Sequence, residues 1–370
     1  MGNWNLKKLF SGINCRQVGR EDNTQSIIFP NEPYLGKPTE VFAWLGIPES
    51  PAKKAPGMVL IHGGGGKAYR QWVEMWVKRG YAAIAMDLSG RDAEGNRLTN
   101  GGPEQDHAAK FSTEAKWEDM WTYHAIAAVI RANSILRSVP EVDAKYVGVT
   151  GISWGGYLAC IAAGVDRRFA CAIPVYGCGF LQDNSAEVWM KIFAAMTPRQ
   201  KKDWHKKCDP SVYLPSAKIP ILFVSGTNDF AYPLDSLIKT YSLPRGPVTL
   251  CVRHEMPHGH DAGWSPVEIG LFADQHLRSG LPLPVIGPPK RKGNKVSAQF
   301  SSASPVSTGR LLYTLDRGPW QTRKWHLGPA SIARNVISAE LPENASVYFL
   351  AVEDKRKAYS SSPHEEICIP

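Results

Sequence analysis

The sequence predicts an α/β fold: a mostly parallel central sheet with helices on both faces, followed by a small C-terminal all-β module. Three observations predict it. Between residues 55 and 280, short apolar strands alternate with helical stretches, the pattern of a parallel sheet covered on both sides. Two of these strands run directly into glycine-bearing turns. Beyond residue 290 the helical rhythm stops, and turn-separated β-rich segments take over.

Residues 1–50 form an N-terminal extension, polar and punctuated by proline, with one strand-like run at 39–47. Its alternation suits an outer antiparallel strand. Residues 51–285 are expected to hold the main domain. A strand at 57–61 ends at a glycine run, and residues 69–79 space Trp72, Met75, Trp76 and Val77 as a helix does. A strand at 82–86, a long helix at 117–138, a strand at 146–150, a helix at 157–164 and a strand at 170–175 follow. A helical insert at about 180–215, carrying Trp189 and Trp204, interrupts the rhythm. It reads either as a helical pair on the sheet edge or as a cap over a pocket. Strands at 221–225 and 248–252 and a helix at 266–279 close the domain. Residues 290–370 read as a β-sandwich-like module packed on it.

Composition narrows the function classes. With 370 residues, 43% of them hydrophobic and 21% charged, the chain can bury a layered core without disulfides or a structural metal. No apolar run approaches the roughly 18 residues of a membrane helix. The net charge, 43 − 34 = +9, is spread along the chain. Its one tight cluster, Lys290-Arg291-Lys292 with Lys295, lies among Gly and Pro and reads as a solvated linker, so no nucleic-acid partner is expected. Seven cysteines, odd in number and without a C-x-x-C pair, read as mostly buried thiols, with one disulfide left open. Residues 1–13 carry no secretory signal, and Leu6 stands where a myristoylation signal needs Ser or Thr; the compartment stays open.

The chemistry concentrates at strand ends. Gly151-Ile152-Ser153-Trp154-Gly155-Gly156 follows one apolar strand and precedes a helix. That context suits a nucleophile elbow, which lifts the Ser153 hydroxyl above the sheet's carboxyl edge. His62-Gly63-Gly64-Gly65-Gly66 follows another strand. Its backbone suits an oxyanion hole, with the N–H of Gly64 as first choice and Gly65 as second, paired with the N–H of Trp154. A phosphate-cradling loop competes, but Lys67 does not complete the Walker pattern. His62 reads as a loop-fixing residue.

A serine nucleophile needs a base, and the base an acid. Asp229 follows the strand at 221–225 and is the expected acid, with Asp235 as the alternative. After the strand at 248–252 come His254, His258 and His260. His258 is favoured as base and His260 is its competitor. Asp261 and the three histidines also have metal-ligand types. A zinc site, however, would leave the elbow, the glycine loop and Asp229 without a role, so neither metal nor cofactor is expected.

Together these motifs resemble the α/β-hydrolase fold over roughly residues 35–280. The segments His-Gly-Gly-Gly-Gly, Gly-Ile-Ser-Trp-Gly-Gly and Gly-Thr-Asn-Asp-Phe-Ala-Tyr-Pro are similar to the dienelactone-hydrolase, acetylxylan-esterase and prolyl-oligopeptidase-like branch. The resemblance implies Ser153 as nucleophile, Asp229 as acid, His258 as base and Gly64 as an oxyanion donor. It departs from the dienelactone hydrolases in having serine rather than cysteine, and from the oligopeptidases in lacking room before residue 35 for a propeller. The module after 290 is not part of the common core. The expected activity is serine carboxylic-ester hydrolysis of short-chain acyl or carbohydrate-linked esters, with Trp154, Trp189 and Trp264 as candidate pocket aromatics. A serine peptidase and a non-catalytic glycan-binding protein are the alternatives.

Overall fold

Six parallel strands make the centre of the fold. They are β4 (Ala55–Ile61), β5 (Ala82–Met86), β6 (Val142–Ile152), β7 (Cys171–Val175), β8 (Ile221–Gly226) and β9 (Val248–Arg253), after the N-terminal β1 (Arg16–Glu21), β2 (Thr24–Tyr34) and β3 (Lys37–Gly46). β4, β5, β7 and β8 are buried at every residue, because helices cover both faces of the sheet. The computed structural model describes residues 2–11, 13–49 and 54–367.

Three antiparallel strands lie on one flank where the sequence suggested one. β2 hides in the sequence because Pro30 and Pro33 break its apolar run Ile27-Ile28-Phe29. Its hairpin to β3 turns through Leu35 and Gly36, at φ 51° and 76°. On the parallel side the order is β5-β4-β6-β7-β8-β9. The chain thus leaves β4 for one neighbour and returns to the other side at β6. This reversal opens a crevice at the carboxyl ends of β4 and β6, where open α/β sheets bind ligands. Ile61 and Gly151 are register partners at its mouth.

The long helix Trp121–Ser138 is buried along most of its length. Helix Trp154–Val165 begins at the elbow itself, three residues earlier than its apolar pattern suggested. The insert forms helices Glu187–Ala195 and Pro198–Cys208, the second opened by a Thr197/Gln200 capping box. Among the described residues, no helix is long and apolar enough to cross a membrane. Five of the six described cysteines are buried, all six are free, and Cys368 lies outside the described residues.

The C-terminal strands are β10 (Val285–Ile286), β11 (Lys290–Lys292), β12 (Lys295–Ser301), β13 (Val306–Thr314), β14 (Trp325–Pro329), β15 (Ser331–Ala333), β16 (Val336–Glu340), β17 (Val347–Asp354), β18 (Tyr359–Ser361) and β19 (Glu365–Glu366). They stack two sheets around a second core that includes Phe300, Leu311, Ile337 and Leu350. One of those sheets is a continuation of the central sheet: β18 pairs antiparallel with β9, and β17, β13 and β14 follow. The other face of this extension gives Leu312, Trp325, Val347 and Phe349 to the main core. The Lys290–Lys292 cluster is not a linker. It pairs with β12 as an exposed strand, where charge discourages edge-to-edge association.

The junction is held by Glu268. Its buried Oε1 accepts from the Arg253 guanidinium at 2.6 Å and from the Tyr359 backbone N–H at 2.6 Å. The Tyr359 hydroxyl donates to the Val252 carbonyl at 2.9 Å.

Candidate active site

Ser153 sits between β6 and its helix at φ 58°, ψ −118°, a left-handed conformation that costs a non-glycine residue of order 1–3 kcal/mol. The surrounding glycines allow it by close approach rather than by flexibility. A Cβ on Gly155 would lie 1.9 Å from the Ile61 carbonyl oxygen, and one on Gly151 would lie 2.1 Å from that of Gly155. The elbow is therefore pressed against β4, and the Ser153 N–H is fixed by donating to the Val175 carbonyl at 2.9 Å.

Asp229 and His258 arrive from the ends of β8 and β9. The Asp229 carboxylate is fully buried; Oδ1 accepts from the N–H groups of Ala231 and Tyr232 at 2.9 and 2.8 Å. Its Oδ2 lies 2.8 Å from His258 Nδ1, and His258 Nε2 lies 2.9 Å from Ser153 Oγ. A carboxylate can only accept, so the imidazole proton belongs on Nδ1 and the Nε2 lone pair faces the serine. The ring is held between Tyr176, tilted by 30° at 4.5 Å, and Phe230, which meets it edge-on at 4.9 Å. The Tyr176 hydroxyl also donates to the Pro257 carbonyl at 2.6 Å. Sequence reasoning missed this aromatic clamp, although Tyr176 directly follows an apolar strand.

The glycine loop is anchored peptide by peptide. The fully buried His62 donates from Nδ1 to the Gly63 carbonyl at 2.7 Å and accepts the Leu88 N–H on Nε2 at 3.0 Å. The Gly66 N–H also reaches the Gly63 carbonyl. In a trans peptide the C=O and the next N–H point in opposite directions, so fixing the Gly63 carbonyl fixes the Gly64 N–H. Neither that N–H nor the Trp154 N–H meets an acceptor among the described residues. His260 serves the same loop from the other side, its Nε2 accepting the Gly63 N–H at 3.1 Å. Burial holds the His260 imidazole down to a pKa of about 4, with the nearby His62 and His258 adding to the effect, so it stays neutral and keeps accepting.

The remaining candidates lie elsewhere. Asp235 lies in the first turn of helix Leu234–Tyr241 and accepts from Asn184. His254 Nε2 donates to the Trp325 carbonyl at 3.1 Å. His254, His258 and His260 thus serve three different partners. Gly65 is exposed at φ 69°. Trp264 stacks on Trp72 and lines a cavity of about 440 Å³ with Met75, Trp76 and Arg79, whereas Trp189 packs on Trp154 at 4.8 Å. Phe111, Trp154, Trp189 and Tyr232 form an aromatic wall here. Lys110 packs against it, at 4% exposure, with Nζ 4.8 Å from the Trp154 ring centre and 5.4 Å from that of Trp121.

The topology and the comparisons agree. Acetyl xylan esterase from Paenibacillus sp. R4 superposes with a TM-score of 0.59 at 22% identity, covering 74% of this chain and 92% of that one. This is the α/β-hydrolase fold. Acetyl xylan esterase 1 from Thermoanaerobacterium sp. JW/SL YS485 gives 0.58 at 18% identity over 74% and 91%. The acylaminoacyl peptidase of Pyrococcus horikoshii gives 0.52 at 20% identity over 74% of this chain and 43% of its own. The acetyl xylan esterase (AXE1) family model matches residues 35–193, a stretch that holds the glycine loop and the elbow and ends before Asp229. No curated protein sequence matches the chain. As an α/β-hydrolase the chain resembles the acetylxylan-esterase and prolyl-oligopeptidase-like branch, and these matches support a serine hydrolase of the carboxylesterase type.

Proposed function

We propose that this chain hydrolyses short-chain acyl or carbohydrate-linked esters through Ser153, His258 and Asp229. The observation that carries the reading is the continuous relay of 2.9 and 2.8 Å contacts from Ser153 Oγ through His258 to Asp229. Ser153 Oγ attacks the ester carbonyl as His258 Nε2 takes its proton. Asp229 holds the resulting imidazolium and its tautomer. The free N–H groups of Gly64 and Trp154 receive the oxyanion. Collapse expels the alcohol, protonated by His258, and leaves an acyl-Ser153 ester. Water, deprotonated by His258, then releases the acid and restores the serine. The carbohydrate part of the proposal rests on the acetyl xylan esterase family match.

The peptidase alternative passes through the same oxyanion but must protonate an amine as it leaves. Comparing kcat/KM on an acetyl ester and on a dipeptidyl anilide separates the two. An ester preference of at least about 10²-fold is expected; parity, or a preference for the anilide, overturns the ester reading. Ser153→Ala should fold normally and lose about 10⁴–10⁶-fold in turnover. A folded variant keeping a tenth of the rate would remove the serine from the mechanism.

A further inference from the structure

Lys110 is a buried cation without a counter-ion among the described residues, set against the backbone that is offered for the oxyanion. A Cβ on Gly64 would lie 2.8 Å from Trp154 Cδ1 and 3.3 Å from Lys110 Nζ. The ammonium therefore borders both residues whose N–H groups meet no acceptor among the described residues. Among the described residues its partners are the faces of Trp154 and Trp121, and cation–π attraction replaces only part of the lost hydration. No hydrogen bond or ion pair takes it up among the described residues. Asp106, at the start of the same short helix, is the one carboxylate that acts on it, and that side chain caps the Ala109 N–H at 2.7 Å.

The chain treats its other buried cations differently. Arg131 is paired with Glu32 at 2.8 Å, and Arg323 donates to the Gly318 carbonyl at 2.9 Å and stacks on Trp320. A cation needed only for folding would find an oxygen acceptor as these two do, because burying one alone costs several kcal/mol. Beside Lys110, Gln105 leaves a second polar group open. Its Nε2 reaches the Gly63 carbonyl at 3.4 Å, while its buried Oε1 has no partner. A positive donor and an amide with an unused acceptor thus both reach the glycine loop.

We propose that Lys110 Nζ binds a carboxylate carried by the ester substrate, so that the site selects acidic esters. The inference rests on the ester-hydrolase reading and adds its substrate class. The carboxylate belongs either to the alcohol part, as in an acetylated uronic acid, or to the acyl part, as in a half-ester of a dicarboxylic acid. Burial brings the ammonium down to a pKa of about 8 against the opposing pull of Asp106. His62, behind the loop, is the other titratable group that feels this charge, and burial holds it neutral. The ammonium is therefore charged at neutral pH and loses its proton as pH rises through about 8, and selectivity should disappear over the same range.

Two substrate pairs test this. Acetylated glucuronic acid against acetylated glucuronamide places the charge on the alcohol part. Mono-4-nitrophenyl adipate against 4-nitrophenyl hexanoate places it on the acyl part. The expected result is a kcat/KM preference of about 10–100-fold for the acid in one pair, the range of one charge-assisted hydrogen bond. Lys110→Met should bring that ratio to about one while the neutral ester keeps its rate within a few-fold. Lys110→Arg should retain most of the preference. In the wild type the ratio should fall as pH is raised through about 8, a reading that needs no variant. A wild type without preference in either pair overturns the proposal. So does a Lys110→Met variant that loses both members of a pair alike, which would make the cation an aid to the oxyanion or to packing. Failure of the hydrolase reading looks different: the wild type would then turn over neither member of either pair, or Ser153→Ala would retain the wild-type turnover.

Discussion

Replacing His258 and His260 separately discriminates two kinds of histidine that lie two residues apart. His258→Ala removes the group 2.9 Å from Ser153 Oγ, and loss of such a base costs about 10⁴–10⁶-fold in kcat. His260→Ala removes only the acceptor of the Gly63 N–H. A buried donor left unpaired costs about 1–3 kcal/mol. If that strain passes wholly into the oxyanion loop, it converts to about 5–150-fold in rate at 1.36 kcal/mol per decade. Saturation kinetics on 4-nitrophenyl acetate, with circular dichroism to establish folding, provide the assay. His260→Gln, which restores an acceptor, should recover most of the loss. A folded His260→Ala variant as inactive as His258→Ala, or less active than it, would refute the assignment of roles.

Gly155→Ala drives a Cβ to within 1.9 Å of a backbone oxygen of β4, so a loss of at least about 3 kcal/mol is expected, read from the denaturant midpoint. Asn228 Nδ2 donates to the Arg323 carbonyl at 2.6 Å. Asn228→Ala should therefore loosen the Asp229 loop and lower kcat by about fivefold to tenfold with little change in KM, as one hydrogen bond of about 1 kcal/mol allows. Burial holds His124 and His260 down to about 4 and His364 to about 3. Their unfolded pKa is near 6.5, so the unfolded state takes up protons first as pH falls. Tm should accordingly drop between pH 6.5 and 4, and a Tm that rises over that range would contradict it.

Much of the main fold was legible because its chemistry leaves few choices. An apolar strand, a Gly-x-Ser-x-Gly turn and a helix can be arranged in few ways, and the order of Ser153, Asp229 and His258 along the chain followed strand ends. What stayed hidden depends on contacts distant in sequence. β2 carries two prolines and reads as loop until β3 pairs with it. The run Asp106-His107-Ala108-Ala109-Lys110 looks like a solvated turn, and nothing local signals that Trp121 and Trp154 enclose its lysine. β17 reads as one continuous apolar run and β18 as three residues with no pattern of their own, so their addition to the edge of β9 is written only in the pairing of Ser361 with Leu250.

That pairing sets an order on biosynthesis. Ser153, Asp229 and His258 all leave the ribosome before the segment that steadies their loops, because Asn228 and His254 are held by the carbonyls of Gln321, Arg323 and Trp325. Until β17 and β18 are made, β9 is an open edge, and apolar faces due to meet Trp325 and Phe349 stand uncovered. Contacts of such long range form slowly, and unpaired edges invite aggregation. A nascent chain stalled within the β10–β16 region should therefore be a chaperone client and a poor enzyme, gaining its full rate only as the last strands close onto β9.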